Sequence, residues 1–304
     1  FSPFHRAWQA RPWAPWPEPG AAAVAADPGD GVPPAGPPLL PPGEEAAAGR
    51  LEAFLERVDR YPEERDRPDL DTTSRLSADL KFGTISPRTV VRRVEGPGAG
   101  RAAFVRQIAW REFYAQLLAA FPETRRRAMR PEYDRVAWRR DPDGFAAWKE
   151  GRTGYPFVDA AMRQLAATGW MHNRARMITA SFLVKDLLIN WQEGERWFMR
   201  SLVDGDPAAN NGGWQWTAGT GTDAAPYFRV FNPILQGKKF DPLGDYVRRW
   251  VPELSAVPEK WIHTPWEMPF GEKEKAGLVI GRTYPAPIVD HAVARSRTLA
   301  AYRQ

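Results

Sequence analysis

Residues 154–188 read GYPFVDAAMRQLAATGWMHNRARMITASFLVKDLL, and this stretch decides the fold class. Its residues fit two consecutive helices, over Phe157 to Thr168 and over Arg174 to Asn190. The most apolar run of the chain, Met177 to Ile189, lies in the second helix and is interrupted by two charged residues. Because this run falls short of the roughly 20 apolar residues that span a bilayer, it predicts a buried helix and no membrane segment.

Helical patterns continue on both sides of this stretch. Upstream, apolar residues between Leu51 and Val58 recur at spacings of three and four and form one face. Gly83 closes a short segment, and Ser86-Pro87 is typical of the N-cap and first turn of the next helix. Further helices are predicted over Arg101–Phe121, Asp143–Lys149 and Glu193–Leu202. Since alternating strand patterns are nearly absent, we predict an all-α, multi-helical domain over residues 44–304.

The first 43 residues differ in composition from the rest. They hold 12 of the 30 prolines together with Gly and Ala runs, which predicts an extended Pro-rich linker. The chain begins FSPFHRAW, without an initiator Met or a signal-peptide pattern, and we interpret this start as a trimmed chain.

Composition excludes several classes of site. The 304 residues contain no cysteine, so neither a disulfide framework nor a thiolate metal site is available, and a reducing cytoplasm is consistent with this. The four histidines are not paired at ligand spacing, and phosphate-loop, zinc-protease and serine-hydrolase motifs are absent, so we expect no metal. The formal charge of +5 weakly favours a polyanionic partner. Most of the 14 tryptophans are expected in the core.

Two polar segments can each be explained in two ways from their residues alone. TTSRLS at 72–77 places hydroxyls and backbone N–H groups at a helix start, which suits either a bound phosphate or a plain N-cap cluster. In the loop from Asp204 to Asn211, two carboxylates flank Gly205 and two amides follow. This arrangement fits a turn and capping cluster or, less well, a catalytic pair of carboxylates.

The helix predicted over Arg101 to Phe121 carries Gln107, Trp110 and Tyr114 on one face. An aromatic stripe is more often core, but arginines beside it would be costly to bury unpaired. Aromatic faces beside arginines suit an unstacked base, which can contribute roughly 1–3 kcal/mol by stacking. Arg125 to Arg127 and Lys238-Lys239 can attract phosphate, although charge runs are usually solvated surface.

Four segments resemble the cryptochrome/photolyase family. They are TTSRLS at 72–77, AWREFY at 109–114, the stretch 154–188, and DGDPAANNGGWQWTAGTGTDAAPYFRVFNP at 204–233. Within the family the sequence resembles bacterial class I cyclobutane pyrimidine dimer photolyases. The resemblance implies the helical FAD-binding domain of photolyase type over 44–304. It also implies that residues 1–43 link this domain to a missing N-terminal α/β antenna domain.

The resemblance assigns roles to individual residues. Those implied for FAD are Tyr61, Thr73, Ser74, Arg75, Leu76, Ser77, Arg111, Asn173, Arg176, Asp204, Gly205, Asp206 and Asn210. Those implied for DNA are Arg65, Gln107, Trp110, Tyr114, Asn173, Arg174, Met177, Trp216 and Gln236. Trp138, Trp191 and Trp214 match the family's electron-transfer chain.

The same resemblance gives the Asp204 loop its detail. Asp204 is expected to pair with Arg176, Asp206 to contact the flavin edge or ribose region, and Asn210 to face flavin N5 as a catalytic residue. Asparagine at the last position resembles photolyases, whereas plant cryptochromes typically carry Asp there.

Gln107 departs from the family pattern. Bacterial dimer-repairing photolyases usually carry Glu at this position, and an amide supplies neither a proton nor a charge. We therefore expect weaker repair than with Glu, without loss of binding. Gln also resembles relatives that repair (6-4) photoproducts, but those usually have paired histidines where this chain has Trp170 and His172-Asn173.

The resemblance implies light-driven repair of cyclobutane pyrimidine dimers in DNA, by electron transfer from reduced FAD to the flipped dimer. A folate- or deazaflavin-type antenna pigment is expected only together with the missing domain. We also expect a monomer in the cytoplasm. The alternatives are a cryptochrome-type blue-light photoreceptor, repair of the (6-4) photoproduct, and a flavin-free DNA-binding module.

Overall fold

The structure is a computed structural model that describes residues 1–12, 40–226 and 228–303. These residues form fifteen α-helices: α1 Ser2–Ala10, α2 Glu44–Leu55, α3 Tyr61–Glu64, α4 Ser77–Phe82, α5 Pro87–Val94, α6 Ala99–Ala120, α7 Pro142–Lys149, α8 Pro156–Thr168, α9 Asn173–Ser181, α10 Trp191–Ser201, α11 Pro207–Ala218, α12 Pro233–Phe240, α13 Asp245–Trp250, α14 Phe270–Lys275 and α15 His291–Ala301. Short 3-10 segments and one π-helical turn connect them: Val58–Arg60, Pro122–Arg125, Pro131–Arg135, Phe182–Asp186 (the π turn), Pro252–Leu254, Glu259–Trp261 and Pro265–Glu267. The only pairing of strand type in the described ranges is one isolated bridge between Ile280 and Tyr284.

The all-α prediction is confirmed, and the helix signals lie where the sequence placed them. Gly83 follows α4 with a left-handed φ of 78°, and the Ser86 side chain accepts a hydrogen bond from the N–H of Arg88 at the start of α5. The predicted helices differ from α6, α7, α8 and α10 by one or two residues at their ends. None of the helices in the described ranges is long and apolar enough to cross a membrane.

The extended linker prediction is wrong for Ser2–Ala10, which form α1. Pro3 stands in the first turn, where the missing N–H costs no internal hydrogen bond, and the next proline, Pro12, lies beyond the end of the helix. Residues 13–39, which hold most of the prolines of this segment, are outside the described residues. The predicted boundary at residue 44 coincides with the first residue of α2.

The helix predicted over Arg174 to Asn190 is shorter than expected. Helix α9 ends at Ser181 and passes into the π turn Phe182–Asp186, closed by a bond from Leu187 N–H to the Phe182 carbonyl of 3.0 Å. A π turn rotates the side chains that follow it. Here Lys185 and Asp186 are turned towards buried partners on other helices.

Two large hydrophobic clusters and a small one around Tyr302 form the interior of the described part of the chain. The first comprises buried side chains from α2, α5 and the first half of α6, including Leu51, Val90 and Phe104. The second is larger, runs from Trp148 to Tyr284, and is built mainly on α8, α9, α11 and α13. Helix α6 packs against α3 and α5 on one side and against α11 on the other, so it joins the two clusters.

Lys185 is fully buried against the end of α11. Its Nζ donates to the Ala218 carbonyl at 2.9 Å and lies 3.7 Å from the centre of the Tyr302 ring. A cation at the carbonyl end of a helix is favoured by the helix dipole. Burial nevertheless lowers the pKa of Lys185 to about 7.

Protein stability is therefore expected to rise with pH above neutrality. Between the folded pKa and the ordinary lysine pKa of about 10.4, the unfolded chain holds a proton that the folded chain has lost, so the free energy of unfolding increases by roughly 3 kcal/mol from pH 7 to about pH 9.5. Lys185→Met should abolish this increase, whereas Lys275→Met, at an exposed position, should retain it. Urea unfolding of the three proteins at both pH values measures the effect. Equal pH slopes for wild type and Lys185→Met would contradict it.

Candidate functional site

The segment 72–77 enters α4 as an irregular loop. Leu76 occupies the N-cap position, no side chain caps the helix, and Arg75 has a left-handed φ of 56°. The hydroxyls of Thr72 and Thr73 are buried and have no hydrogen-bond partner. These hydroxyls therefore do not form the capping cluster that was one of the two explanations of this segment.

Arg75 links this loop to the start of α9. Its guanidinium lies 3.8 Å from the centre of the Trp170 ring and also pairs with Asp71 at 2.5 Å. His172 is the N-cap of α9, and its Nδ1 accepts from the N–H of Arg174 at 3.1 Å. Burial lowers the pKa of His172 to about 4, so the ring is neutral at pH 7, and its Nε2 has no partner.

An ion pair joins α9 to the loop before α11. One terminal nitrogen of Arg176 donates to both carboxylate oxygens of Asp204, at 2.7 and 3.0 Å, and its Nε donates to the Met171 carbonyl at 2.8 Å. The Asp204 side chain is 1% exposed. Gly205 follows, and its N–H donates to the Leu202 carbonyl.

Asp206 and Asn210 lie on the first turn of α11. Asp206 is the N-cap, and its carboxylate accepts from the N–H of Ala209 at 2.8 Å. The Asn210 side chain donates to the Glu195 carbonyl at 3.0 Å and is half-buried. Asp206 therefore has the capping role that one explanation gave to this loop, and Asn210 is oriented by α10.

Residues of α3, of α6 and of the turn after α3 contact one another and the start of α9. Arg65 donates to Oε1 of Gln107 at 3.3 Å and lies over the Tyr61 ring at 5.4 Å from its centre. The next residue, Asp66, pairs with Arg174 of α9 at 2.7 Å. This ion pair brings the end of α3 next to the start of α9, where His172 lies and near which Arg75 packs.

Neighbouring side chains of α6 contact different partners. Arg111 donates to the Leu80 carbonyl of α4 at 3.1 Å, while Trp110 and Tyr114 lie 5.5 Å apart, ring centre to ring centre. The Phe1 ring of α1 stacks on Trp110 at 3.7 Å with the two planes 5° apart. An α-carbon substituent on Gly212 would lie 2.1 Å from Tyr114, so glycine is required for this approach of α6 to α11.

The remaining residues assigned to DNA lie around this aromatic face or near α9. Trp216 is half-buried on α11 and shares a cleft with Tyr114. Asn173 and Met177 are one turn apart on α9, with the Asn173 Nδ2 3.8 Å from the Met177 sulfur. Gln236 is half-buried on α12.

The three tryptophans assigned to electron transfer belong to one hydrophobic cluster. Trp214 and Trp191 are 2% and 3% exposed, whereas Trp138 is only partly buried, so the set runs from the interior towards solvent. Trp214 packs edge-on against Trp148 and Phe198.

Sequence reasoning missed several partners of these residues. Asp66 was not identified, although it pairs with Arg174, and Gln215 was not identified, although its buried amide bonds to a loop about 90 residues away. A polar residue between two tryptophans, as in Trp214-Gln215-Trp216, was the available signal for the latter. No group of three metal-ligating side chains occurs in the described ranges.

A profile of the FAD-binding domain of DNA photolyase matches residues 104–304, and the chain belongs to this family. It is 52% identical over 271 residues to the deoxyribodipyrimidine photo-lyase of Escherichia coli, covering 86% of this chain and 56% of that protein. The chain thus spans about half the length of the curated relatives it matches.

Two solved structures are similar in fold. A class III photolyase from Agrobacterium tumefaciens superposes with a TM-score of 0.84 at 51% identity, over 86% of this chain and 56% of that chain. A cryptochrome from Synechocystis sp. PCC6803 gives 0.81 at 34% identity, over 85% and 56%.

The polar cluster fits the cofactor named by the family. A dinucleotide needs donors for its phosphates, and the unpartnered Thr72 and Thr73 hydroxyls lie beside the positive Arg75. The buried His172 ring adds an unpartnered nitrogen at the same end of α9. Buried polar groups without partners are rare in folded proteins, so their concentration here indicates a bound polar molecule.

Proposed function

We propose that this chain binds FAD and damaged DNA and carries the repair of cyclobutane pyrimidine dimers by light. The observation that supports this best is the position of α6 between the two sites. Arg111 reaches α4 beside the loop 72–77, and Trp110, the preceding residue, points about 100° away around the helix and stacks with Phe1. One helix therefore fixes the distance between cofactor and dimer, which is the positioning that catalysis by proximity requires.

The proposed FAD site draws on the loop before α4, on α6 and α9, and on the loop and first turn of α11. The loop 73–77 and Arg111 would hold the phosphates, the Arg176–Asp204 pair would hold α9 against the loop before α11, and Asp206 and Asn210 would contact the flavin end. Reduced FAD, when bound, supplies the light absorption and the electron for ring opening. The protein contributes orientation and exclusion of water, as in other cofactor enzymes.

The proposed dimer site is the aromatic face with its polar rim. Trp110 and Trp216 would stack on the flipped bases, and Arg65 and Arg174 would attract the backbone phosphates. Since Phe1 covers one face of Trp110, a dimer stacked there must displace α1. Trp138, Trp191 and Trp214 would reduce the flavin by successive electron transfer from the surface.

We further propose a monomer in the cytoplasm; the cysteine-free sequence is consistent with that location and has no bearing on the oligomeric state. An antenna pigment of folate or deazaflavin type belongs to this proposal only where an antenna domain accompanies the chain.

The direct test is repair of ultraviolet-irradiated oligonucleotide by the purified, photoreduced protein, in light and in darkness, with the flavin spectrum recorded. Restoration of thymines in light alone is the expected result. Bound flavin that photoreduces without repairing cyclobutane dimers would instead favour a cryptochrome-type photoreceptor or the (6-4) lesion. The similarity to the Synechocystis cryptochrome makes the photoreceptor the second candidate. A protein without flavin would contradict the proposal and leave the flavin-free DNA-binding module.

Gln107→Glu is expected to increase repair while leaving DNA binding within about twofold. In the family pattern this side chain hydrogen-bonds the lesion base, and a charged group there contributes about 1 kcal/mol more than a neutral one, or roughly fivefold in the repair rate. Repair rate under limiting light and dark affinity for a dimer-containing duplex measure the two effects. Gln107→Met is the control, and equal repair by all three proteins would show that this position does not contact the lesion.

A further inference from the structure

Three consecutive arginines, Arg125–Arg127, stand exposed in the turn after α6. In the described part of the chain, none of them forms an ion pair with a carboxylate. Arg130, a few residues later, does form such a pair, with Glu132 at 2.9 Å. We call Arg125–Arg127 the tri-arginine loop.

Three side-chain amides hold the backbone of this loop. Gln192 donates to the Arg126 carbonyl at 2.8 Å, Asn211 donates to Thr124 at 3.2 Å, and Gln215 donates to Thr124 at 3.0 Å and to Arg127 at 3.3 Å. Gln215 also accepts from the N–H of Met129 at 2.8 Å through its Oε1. These three residues, here named the amide strap, come from α10 and α11.

The amide strap fixes the loop without neutralising it. Amides are uncharged, so they satisfy the loop carbonyls and leave the positive charge of the guanidinium groups in place. Of the nearby carboxylates, Asp134 accepts from the N–H of Ala128 at 2.9 Å. Glu195 accepts from Asn211 at 3.4 Å and also interacts electrostatically with Arg125, without an ion pair to it. A fixed backbone under cations that form no ion pair lowers the ordering cost of binding an anion.

The loop also adjoins the proposed dimer site. Thr124 and Met129 line one cleft together with Tyr114 of α6 and Asn211, Gln215 and Trp216 of α11. The arginines lie in the chain between Thr124 and Met129, two residues that line the cleft containing Trp216. The chemistry that matches three adjacent guanidinium groups is a row of phosphates.

We propose that the tri-arginine loop binds backbone phosphates of the DNA on the Trp216 side of the dimer, and that the amide strap positions it for this contact. This inference rests on the proposed function. Phosphate contacts carry no information about the lesion. Their loss should therefore weaken binding to damaged and undamaged duplex equally and leave the preference for dimers unchanged.

The test is the salt dependence of dark binding to the same duplex with and without a dimer. Each phosphate contact contributes about 0.9 to the slope of log affinity against log salt. With one phosphate per arginine, Arg125→Ala/Arg126→Ala/Arg127→Ala should reduce the slope by about 2.7 and weaken binding at least ~10-fold near 0.1 M salt. The control, Lys260→Ala/Lys275→Ala/Arg282→Ala, removes the same charge from exposed positions of the C-terminal third.

The strap is tested separately by Gln192→Met, which removes one bond to the loop and no charge. We expect about threefold weaker binding with unchanged flavin content and unfolding midpoint, by the ordering argument above. Unchanged affinity in Gln192→Met would overturn the role of the strap. Equal slopes for the two triple variants would overturn the phosphate contact. Wild-type protein without any preference for the dimer would contradict the proposed function instead, while the slopes would still decide the loop.

Discussion

Gly194→Ala is expected to destabilise the protein and to displace the ring of Trp214. A Cβ at position 194 would lie 2.1 Å from Cη2 of Trp214 and 2.6 Å from Cδ2 of Leu183. Both side chains are at least 98% buried, so neither can move into solvent. Overpacking of this kind typically costs about 1–3 kcal/mol, and more where the surroundings cannot shift, while the helix propensity gained from alanine is only about 1 kcal/mol. Since Trp214 is the most buried member of the proposed electron-transfer set, we expect slower photoreduction as well.

A matched control lies on the facing helix. A Cβ on Gly213 of α11 would meet nothing within 4 Å, and Gly213 is exposed. Gly213→Ala should therefore stabilise the protein by up to about 1 kcal/mol. Urea unfolding and the rate of flavin photoreduction under steady light compare the two variants. Similar unfolding midpoints for both would show that the contact at Gly194 relaxes without cost.

Arg176→Met is expected to have a comparably large effect through a different mechanism. It leaves the buried Asp204 carboxylate without its cation; breaking a fully buried pair costs about 3–5 kcal/mol, and the 25% exposure of the Arg176 side chain places the expected cost at the lower end of that range. The same change frees the Met171 carbonyl, which accepts from Arg176 Nε at the start of α9. Because the ion pair ties α9 to the loop that carries Asp206, we also expect the purified protein to lose most of its flavin.

Two further variants test whether the effect of Arg176→Met comes from the lost ion pair with Asp204. Arg196→Met removes an exposed arginine that pairs with Glu193 of the same helix, and should cost less than about 1 kcal/mol. Arg176→Met/Asp204→Asn removes both charges and should recover part of the lost stability, since no unpaired carboxylate remains. A double variant as unstable as the sum of its single variants would show that the two residues act independently.

The sequence predicted the helices well because each has a local signal. Gly83, Ser86 and the apolar spacing of α2 act within a few residues, and the helix ends follow them. The π turn at Phe182–Asp186 could not be predicted, because its buried charges find partners more than 30 residues away, at Ala218 and His291. The extended linker was wrong at α1 because helix formation there depends on where the prolines stand and not on their number.

In the candidate site, too, the long-range contacts could not be predicted from local sequence signals. The Arg176–Asp204 pair is in the structure at 2.7 Å, but it was expected from a resemblance and not from spacing. The contacts of Arg75 with Trp170 and of Asp66 with Arg174 join segments about 100 residues apart. Such long-range contacts leave no periodic pattern in the sequence, so they could not be predicted from it. The roles of these residues in binding FAD and DNA stay predictions for the experiments above.

The stacking of Phe1, next to α1, on Trp110 lowers the apparent affinity for any planar ligand that stacks on the same face. A planar ligand can stack on that face only in the fraction of molecules whose α1 is undocked, and the apparent Kd is the intrinsic Kd divided by this fraction. If one molecule in about a hundred is undocked, the measured affinity is about a hundredfold weaker than the aromatic face itself provides. Any contact that holds α1 elsewhere would then raise affinity for the ligand without touching it.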